Sequence, residues 1–163
     1  MAAIIVCAGP SLAGILQSGQ MDVYDEDVVI AVNKAAILLS ASGYEYDWVV
    51  ALDLWPAELP IPPLPVKGML TTEGSIREGQ WKRWKCAMYD VRTIPGYFDG
   101  MGFSISAAIN LARAEADFVR CVGVDWKPNP ALVQESQERF DHERAEVEKL
   151  ISPYKDQVFG LPK

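Results

Sequence analysis

The chain has 163 residues but one histidine, and its three cysteines include no Cys-x-x-Cys pair. Zinc centres are built from closely spaced His and Cys ligands, so none is expected. Cys7, Cys86 and Cys121 are odd in number, and each lies in or beside an apolar run. They read as buried, reduced core residues rather than as a disulfide framework. The N-terminus lacks a basic leader, and its apolar run is too short for a signal peptide or a membrane span. A cytoplasmic protein without a membrane partner is the expectation. Positive charge is scarce as well: 15 Lys and Arg stand against 22 Asp and Glu, for a net charge of −7. A general nucleic-acid or anionic-membrane binder needs a basic face, so neither partner is expected. A small phosphorylated ligand held by backbone N–H groups remains compatible with that charge. Internal repeats and low-complexity linkers are also missing.

What is present describes an ordinary globular protein. Half of the residues are hydrophobic and 23% are charged, which excludes wholesale disorder. The length fits a single domain over residues 1–163 with a real core.

The stretch from Ala2 to Leu12 organises the reading. A short apolar run, Ala2-Ala3-Ile4-Ile5-Val6, stops at Gly9-Pro10-Ser11, and a second apolar segment runs from Leu12 to Leu16. This is the pattern of a buried parallel strand turning into a helix. Gly9 lets a ligand approach the backbone closely. Ser11 is placed to cap the helix, whose free N–H groups and positive dipole end would face the loop and favour a phosphate.

The pattern recurs twice. Val28 to Val32 reads as a strand ending at Asn33-Lys34, followed by a helix over Ala35 to Ser42 that Gly43 closes. Tyr46 to Leu52 reads as a third strand, with Asp53 just past its end. Three such units imply a mainly parallel sheet with helices on both faces. They align Gly9, Asn33 and Asp53 along the C-terminal strand edge, where open α/β sheets bind ligands. Five prolines between Pro56 and Pro65 predict an extended loop, and Val66 to Thr71 predicts a fourth strand. Arg77 to Lys85, with Trp81 and Trp84, reads as a short amphipathic helix whose aromatics could stack on a base or pack on the core, with packing favoured. A short fifth strand is predicted within Trp84 to Val91. After a glycine-rich loop from Ile94 to Gly102, Ser104 starts a helix of small residues. A strand from Phe118 to Val124 follows and runs into Asp125. Val133 to Ile151 reads as a charged helix with Val133, Phe140, Val147 and Leu150 on one apolar stripe. Gln157 to Leu161 predicts a short edge strand.

Three pieces together resemble a known family. They are Ile4 to Leu12 with Gly-Pro-Ser-Leu, Val28 to Asp53 with strand–Asn–helix–strand–Asp, and Gly102 to Asp125 with glycine–helix–strand–Gly-x-Asp. Their order and spacing resemble the MptE-like family, named for the archaeal 6-hydroxymethylpterin diphosphokinase. They also resemble the related bacterial sialyltransferases that use CMP-sialic acid, and short phage and prophage proteins of the same type. The resemblance implies a Rossmann-like three-layer sandwich holding a nucleotide of ATP or CMP type. It implies that Gly9, Pro10 and Ser11 line the phosphates, and that Asn33 contacts ribose or phosphate. Gly102, Phe103 and Ser104 would approach the sugar or base, and Asp125 would sit at the rim. The histidine that the sialyltransferases use for catalysis falls in the region of His142. Because the segment between Asp125 and His142 is short and lacks their tyrosines, diphosphoryl transfer is favoured over sialyl transfer.

The residues themselves supply candidate chemistry. His142 is the natural general base, although its neighbours read as a solvated helix face. Asp125 is the second catalytic candidate. Asp53 and Asp125 both follow strands at the functional edge, and could hold magnesium together with phosphate oxygens. Asp25-Glu26-Asp27 has the Asp-x-Asp form of many nucleotide–metal sites, but it precedes a strand and therefore reads as a solvated loop. Lys34 lies where a cation could reach phosphate. Two functions follow: a nucleotide-binding transferase, or a binding module that retains the fold without the chemistry.

Overall fold

The strand β1 (Ala2–Val6) sits at the centre of the sheet because its residues are apolar on both sides. Ile4, Ile5 and Val6 are wholly excluded from solvent. Burying each of these side chains stabilises the fold by about 1.5–3 kcal/mol. In the computed structural model, residues 1–52, 59–60, 62–63, 65–71, 103–132 and 136–162 are described. Along them β1 is followed by α1 (Leu12–Gln17), β2 (Val28–Val32), α2 (Ala35–Ala41), β3 (Trp48–Val50) and β4 (Gly68–Leu70). Then come α3 (Ser104–Glu115), β5 (Phe118–Val122), α4 (Gln137–Ile151), a 3-10 turn and β6 (Val158–Phe159).

The six strands lie in the order β4-β3-β2-β1-β5-β6, and each pairing is parallel. β1 matches Ile4 to Val29 on one side and Ile5 to Cys121 on the other. Alternation along β1 divides the core. Ala3 and Ile5 pack under α3 and the Val147 and Ile151 side of α4. Ile4 and Val6 pack under Leu12, Leu16, Ala35, Ala36 and Leu39 of α1 and α2. The result is a three-layer α/β sandwich of Rossmann-like form. α3 is buried along its whole middle, from Ile105 to Ala112, and its alanines let it lie close on β1, β2 and β3.

The sequence reading places these elements well and misplaces some bounds. α4 begins at Gln137, where the Ser136 hydroxyl accepts a bond from the Arg139 N–H. Of its predicted stripe, Val147 is buried and Phe140 and Leu150 are half-buried, while Val133 lies outside the described residues. The predicted edge strand is present as β6. The segment with Trp81 and Trp84, the strand proposed within Trp84 to Val91, most of the proline-rich loop, and Cys86 lie outside the described residues. Cys7 and Cys121 carry free thiols. No helix of the described residues is long and apolar enough to cross a membrane.

Candidate functional site

The sheet reverses its winding at β1: β2, β3 and β4 lie on one side of it, and β5 and β6 on the other. Loops leaving β1 and β5 at such a switch point diverge and leave a crevice. Here they are also stitched together. The Cys7 N–H donates to the Val122 carbonyl at 2.8 Å, and the Gly9 N–H to the Gly123 carbonyl at 2.9 Å. Glycine is required on both sides of the seam. A Cβ on Gly9 would overlap the Gly123 carbonyl and an Asp125 carboxylate oxygen. Gly123 has a φ of +71°, and a Cβ there would overlap the Cys7 carbonyl.

Asp125 closes the seam. Its Oδ2 accepts the Ser11 backbone N–H at 2.7 Å, and its Oδ1 accepts the Ser11 hydroxyl at 2.8 Å. Ser11 therefore makes no side-chain capping bond to α1. A fully charged acceptor competes for the hydroxyl better than a backbone group, and its charge also complements the start of α1. The tight approach that Gly9 permits is thus made by the neighbouring loop. Asn129 adds a second tie: its Nδ2 donates to the Ala8 carbonyl at 3.1 Å, while its Oδ1 accepts the Ala131 N–H at 3.0 Å.

Beyond this seam opens a cleft of about 130 Å³. Its walls include Gly9, Asn33, Lys34, Phe103, Ser104 and Asp125, together with Trp126, Lys127, Arg139 and Glu143. Two of these residues, Asn33 (φ 52°) and Trp126 (φ 53°), are the non-glycine residues with left-handed backbone among those described. Each directly follows or nearly follows a strand, β2 or β5, and they stand on opposite sides of the opening. A left-handed residue other than glycine costs about 1–2 kcal/mol, and such conformations concentrate at functional sites. The Asn33 Oδ1 is buried and has no hydrogen-bond partner. Buried acceptors are nearly always paired, so this one calls for a donor.

The N-terminus of α3 forms another wall. The Ser104 hydroxyl accepts the Leu52 N–H at 3.3 Å, which ties α3 to the end of β3. Phe103, partly buried, carries the Arg139 guanidinium 5.7 Å from its ring centre. The His142 ring lies 5.5 Å from it, tilted by 56°. His142 itself is exposed and sits behind Phe103 rather than on the cleft wall. Cys7 reaches the cleft floor, but burial first, and then Cys121, Glu143 and Asp125, push its thiol pKa well up. Burial raises Cys121 to about 12. Both thiols are neutral and unsuited to nucleophilic attack at ordinary pH.

Of the residues read from sequence, Gly9, Asn33, Phe103, Ser104 and Asp125 converge on the cleft. Pro10 and Ser11 are exposed on the outer side of the loop, away from the cleft wall. Asp53 and Gly102 lie outside the described residues. The Asp25 to Asp27 loop is at the opposite edge, where Asp27 accepts the N–H groups of Ala2 and Tyr24. Trp126, Asn129, Arg139 and Glu143 carry no signal of a site in the sequence. The Lys-Pro-Asn-Pro run predicts only a turn, and i, i+4 spacing of Arg139 and Glu143 looks like any charged helix face. Among the described residues no group of three or more His, Cys, Asp or Glu side chains could hold a metal ion.

The sequence matches no protein-family model and no curated protein. Among solved structures, the fold is similar to thiamine pyrophosphokinase from Bacillus subtilis, with a TM-score of 0.51 and 14% identity. The match covers 98% of this chain and 60% of that enzyme, so the chain spans less than two thirds of that enzyme's length.

Proposed function

We propose that the protein is a nucleotide-binding transferase of the diphosphokinase-like class, with its site in the cleft at the ends of β1, β2 and β5. The observation that carries this reading is the pair of left-handed residues, Asn33 and Trp126, held on either side of a cleft at the switch point of the sheet. The pyrophosphokinase of similar fold and the resemblance to the MptE-like diphosphokinases support the same chemical class.

The geometry refines how a nucleotide would lie. A cavity of about 150 Å³ holds one benzene-sized ring. The 130 Å³ here suits one ring-sized part of the ligand, a ribose or a base. The unpaired Asn33 Oδ1 accepts hydrogen bonds and therefore suits a ribose hydroxyl rather than a phosphate oxygen. The Phe103 ring offers a stacking face for a base. Because Asp125 already takes both Ser11 donors, the phosphates are directed away from the Gly-Pro-Ser loop, toward the cationic wall of Lys34, Lys127 and Arg139. Each Asp125 oxygen keeps a further lone pair, so this carboxylate fits magnesium bound mainly by phosphate oxygens. Magnesium would supply charge neutralisation of the polyphosphate.

In diphosphoryl transfer an acceptor hydroxyl oxygen bonds to the β-phosphorus, the bridge from that phosphorus to the α-phosphate oxygen breaks, and the nucleoside monophosphate leaves. His142, exposed beyond Phe103 and off the cleft wall, can take the hydroxyl proton only from an acceptor that extends past that ring, and Asp125 holds the loop geometry around the phosphates. The test is calorimetric titration with ATP, GTP, CTP and CMP, with and without magnesium, followed by detection of nucleoside monophosphate release with hydroxylated acceptors. Binding by one nucleotide with release of its monophosphate is expected, and loss of release in His142→Ala would place the acceptor beside that ring. Unchanged release in His142→Ala removes that residue from catalysis. Binding without release under any condition supports the non-catalytic module instead.

A further inference from the structure

Five of the six large hydrophobic residues exposed among those described fall on one surface, at the edge of the sheet opposite the cleft. Phe118 and Phe159 are each 52% exposed, Met1 63%, Tyr24 66% and Val23 39%. Contacts join them into one patch. Phe118 and Phe159 rings lie 6.3 Å apart on adjacent strands. Ala2 pairs with Phe118, which places Met1 beside it. The Asp27 carboxylate binds the N–H groups of both Ala2 and Tyr24. The Arg120 guanidinium donates to the Asp22 carbonyl, next to Val23, and Arg120 pairs with Phe159.

The cause lies in how the helices among the described residues are distributed over the two faces. Phe118, Arg120 and Val122 point to the α1 and α2 face of the sheet, since Val119 and Cys121 point to the other. On that face α1 and α2 cover the strands from β1 outward to β3 and β4. No described helix covers β5 and β6 there. Parallel strands are normally covered on both faces. Contiguous exposed apolar residues of this kind are found at interaction surfaces.

Charge decides between occupants. Asp22, Asp25 and Glu26 on the loop, Asp117 before β5 and Asp156 before β6 flank the patch, against Arg120, Lys155 and the Met1 amino group. A second copy would bring two such acidic rims together, and like-charge juxtaposition costs several kcal/mol. We propose that the β5–β6 face docks an amphipathic helix of a partner protein. Its apolar stripe lies on Phe118 and Phe159, and its Lys and Arg residues meet the acidic rim.

The test uses a fluorescein-labelled 18-residue helix of Leu and Lys, and a matched Leu and Glu helix, in polarisation titrations against the full chain. The Leu and Lys helix is expected to bind and to weaken about tenfold when salt is raised to several times physiological strength. The Leu and Glu helix should not bind. Phe118→Ser with Phe159→Ser should reduce affinity at least tenfold. Asp22→Asn, Asp25→Asn and Glu26→Gln together should reduce it severalfold and flatten the salt dependence. Circular dichroism melts of both variants check the fold. Equal binding of the two helices, or undiminished binding by the folded Phe118 and Phe159 variant, overturns the proposal. A dimer that dissociates on the same substitutions overturns it in favour of a second copy.

Discussion

The two edges of one sheet behave oppositely. At the C-terminal edge, backbone meets backbone at Gly9 and Gly123, a carboxylate is spent on internal hydrogen bonds, and two residues are held in left-handed conformations. At the N-terminal edge, aromatic side chains stand in solvent behind an acidic loop. The first edge is concave and specified atom by atom. The second is open and specified only by composition. Mutations should therefore act on folding and ligand binding at one edge, and on association alone at the other.

The largest effect belongs to the seam. Gly123→Ala combines a left-handed residue, costing about 1–2 kcal/mol, with a clash against the Cys7 carbonyl, so a loss of roughly 3 kcal/mol or more is expected in urea unfolding. Gly9→Ala should lose a comparable amount, because its Cβ meets both Asp125 and the Gly123 carbonyl. A loss under 1 kcal/mol in both would show that the seam is loose.

Next is Asp125→Ala, which removes two charge-assisted bonds to Ser11. The group is partly exposed, so the expected loss is about 1–2 kcal/mol rather than the larger value of a buried pair. Asp125→Asn should recover part of it, since an amide oxygen still accepts one of the two donors.

Alkaline pH should weaken the core. Burial raises Cys121 from 9.0 to about 12 and Tyr46 from 10.0 to about 12, so both hold their protons longer when folded than when unfolded. The unfolded chain then binds fewer protons above pH 9, and stability falls as pH rises from about 9 toward 12. Below about pH 8 these groups should produce almost no slope. Cys121→Ser should make the decline between pH 9 and 10 shallower in pH-dependent unfolding.

The smallest effect on folding belongs to the open edge. Phe118→Ser and Phe159→Ser should each change stability by no more than about 0.5 kcal/mol beyond their mutual ring contact, as exposed substitutions do. A cooperative loss of several kcal/mol would mean that these rings belong to the core.

Much of this contrast was legible in the sequence, because it follows from periodicity. The β-branched runs Ile4 to Val6 and Val28 to Val32 announce buried parallel strands, and the residues that end them, Gly9 and Asn33, mark the cleft edge. What ends a strand is local, and local signals are readable. The role of Asp125 was not, because its partner is Ser11, 114 positions away in the chain. Sequence alone assigns the Ser11 hydroxyl to the nearest helix, and only the pairing of β1 with β5 brings the competing carboxylate within reach. Phe103, Arg139 and His142 show the same limit: their ring and cation contacts join the start of α3 to the first turns of α4. The exposed Phe118 and Phe159 were hidden for the opposite reason, since each sits in an apolar strand and strand pattern does not reveal which face lacks a covering helix.

The most direct test of the central claim is calorimetric titration of the nucleotide panel against Asn33→Gly. Glycine adopts the left-handed backbone at this position freely and removes only the side chain that reaches the cleft. A nucleotide that binds the wild type and binds Asn33→Gly at least tenfold more weakly, with unfolding unchanged, is the predicted result. Equal affinity in the two proteins would contradict the placement of the nucleotide in this cleft.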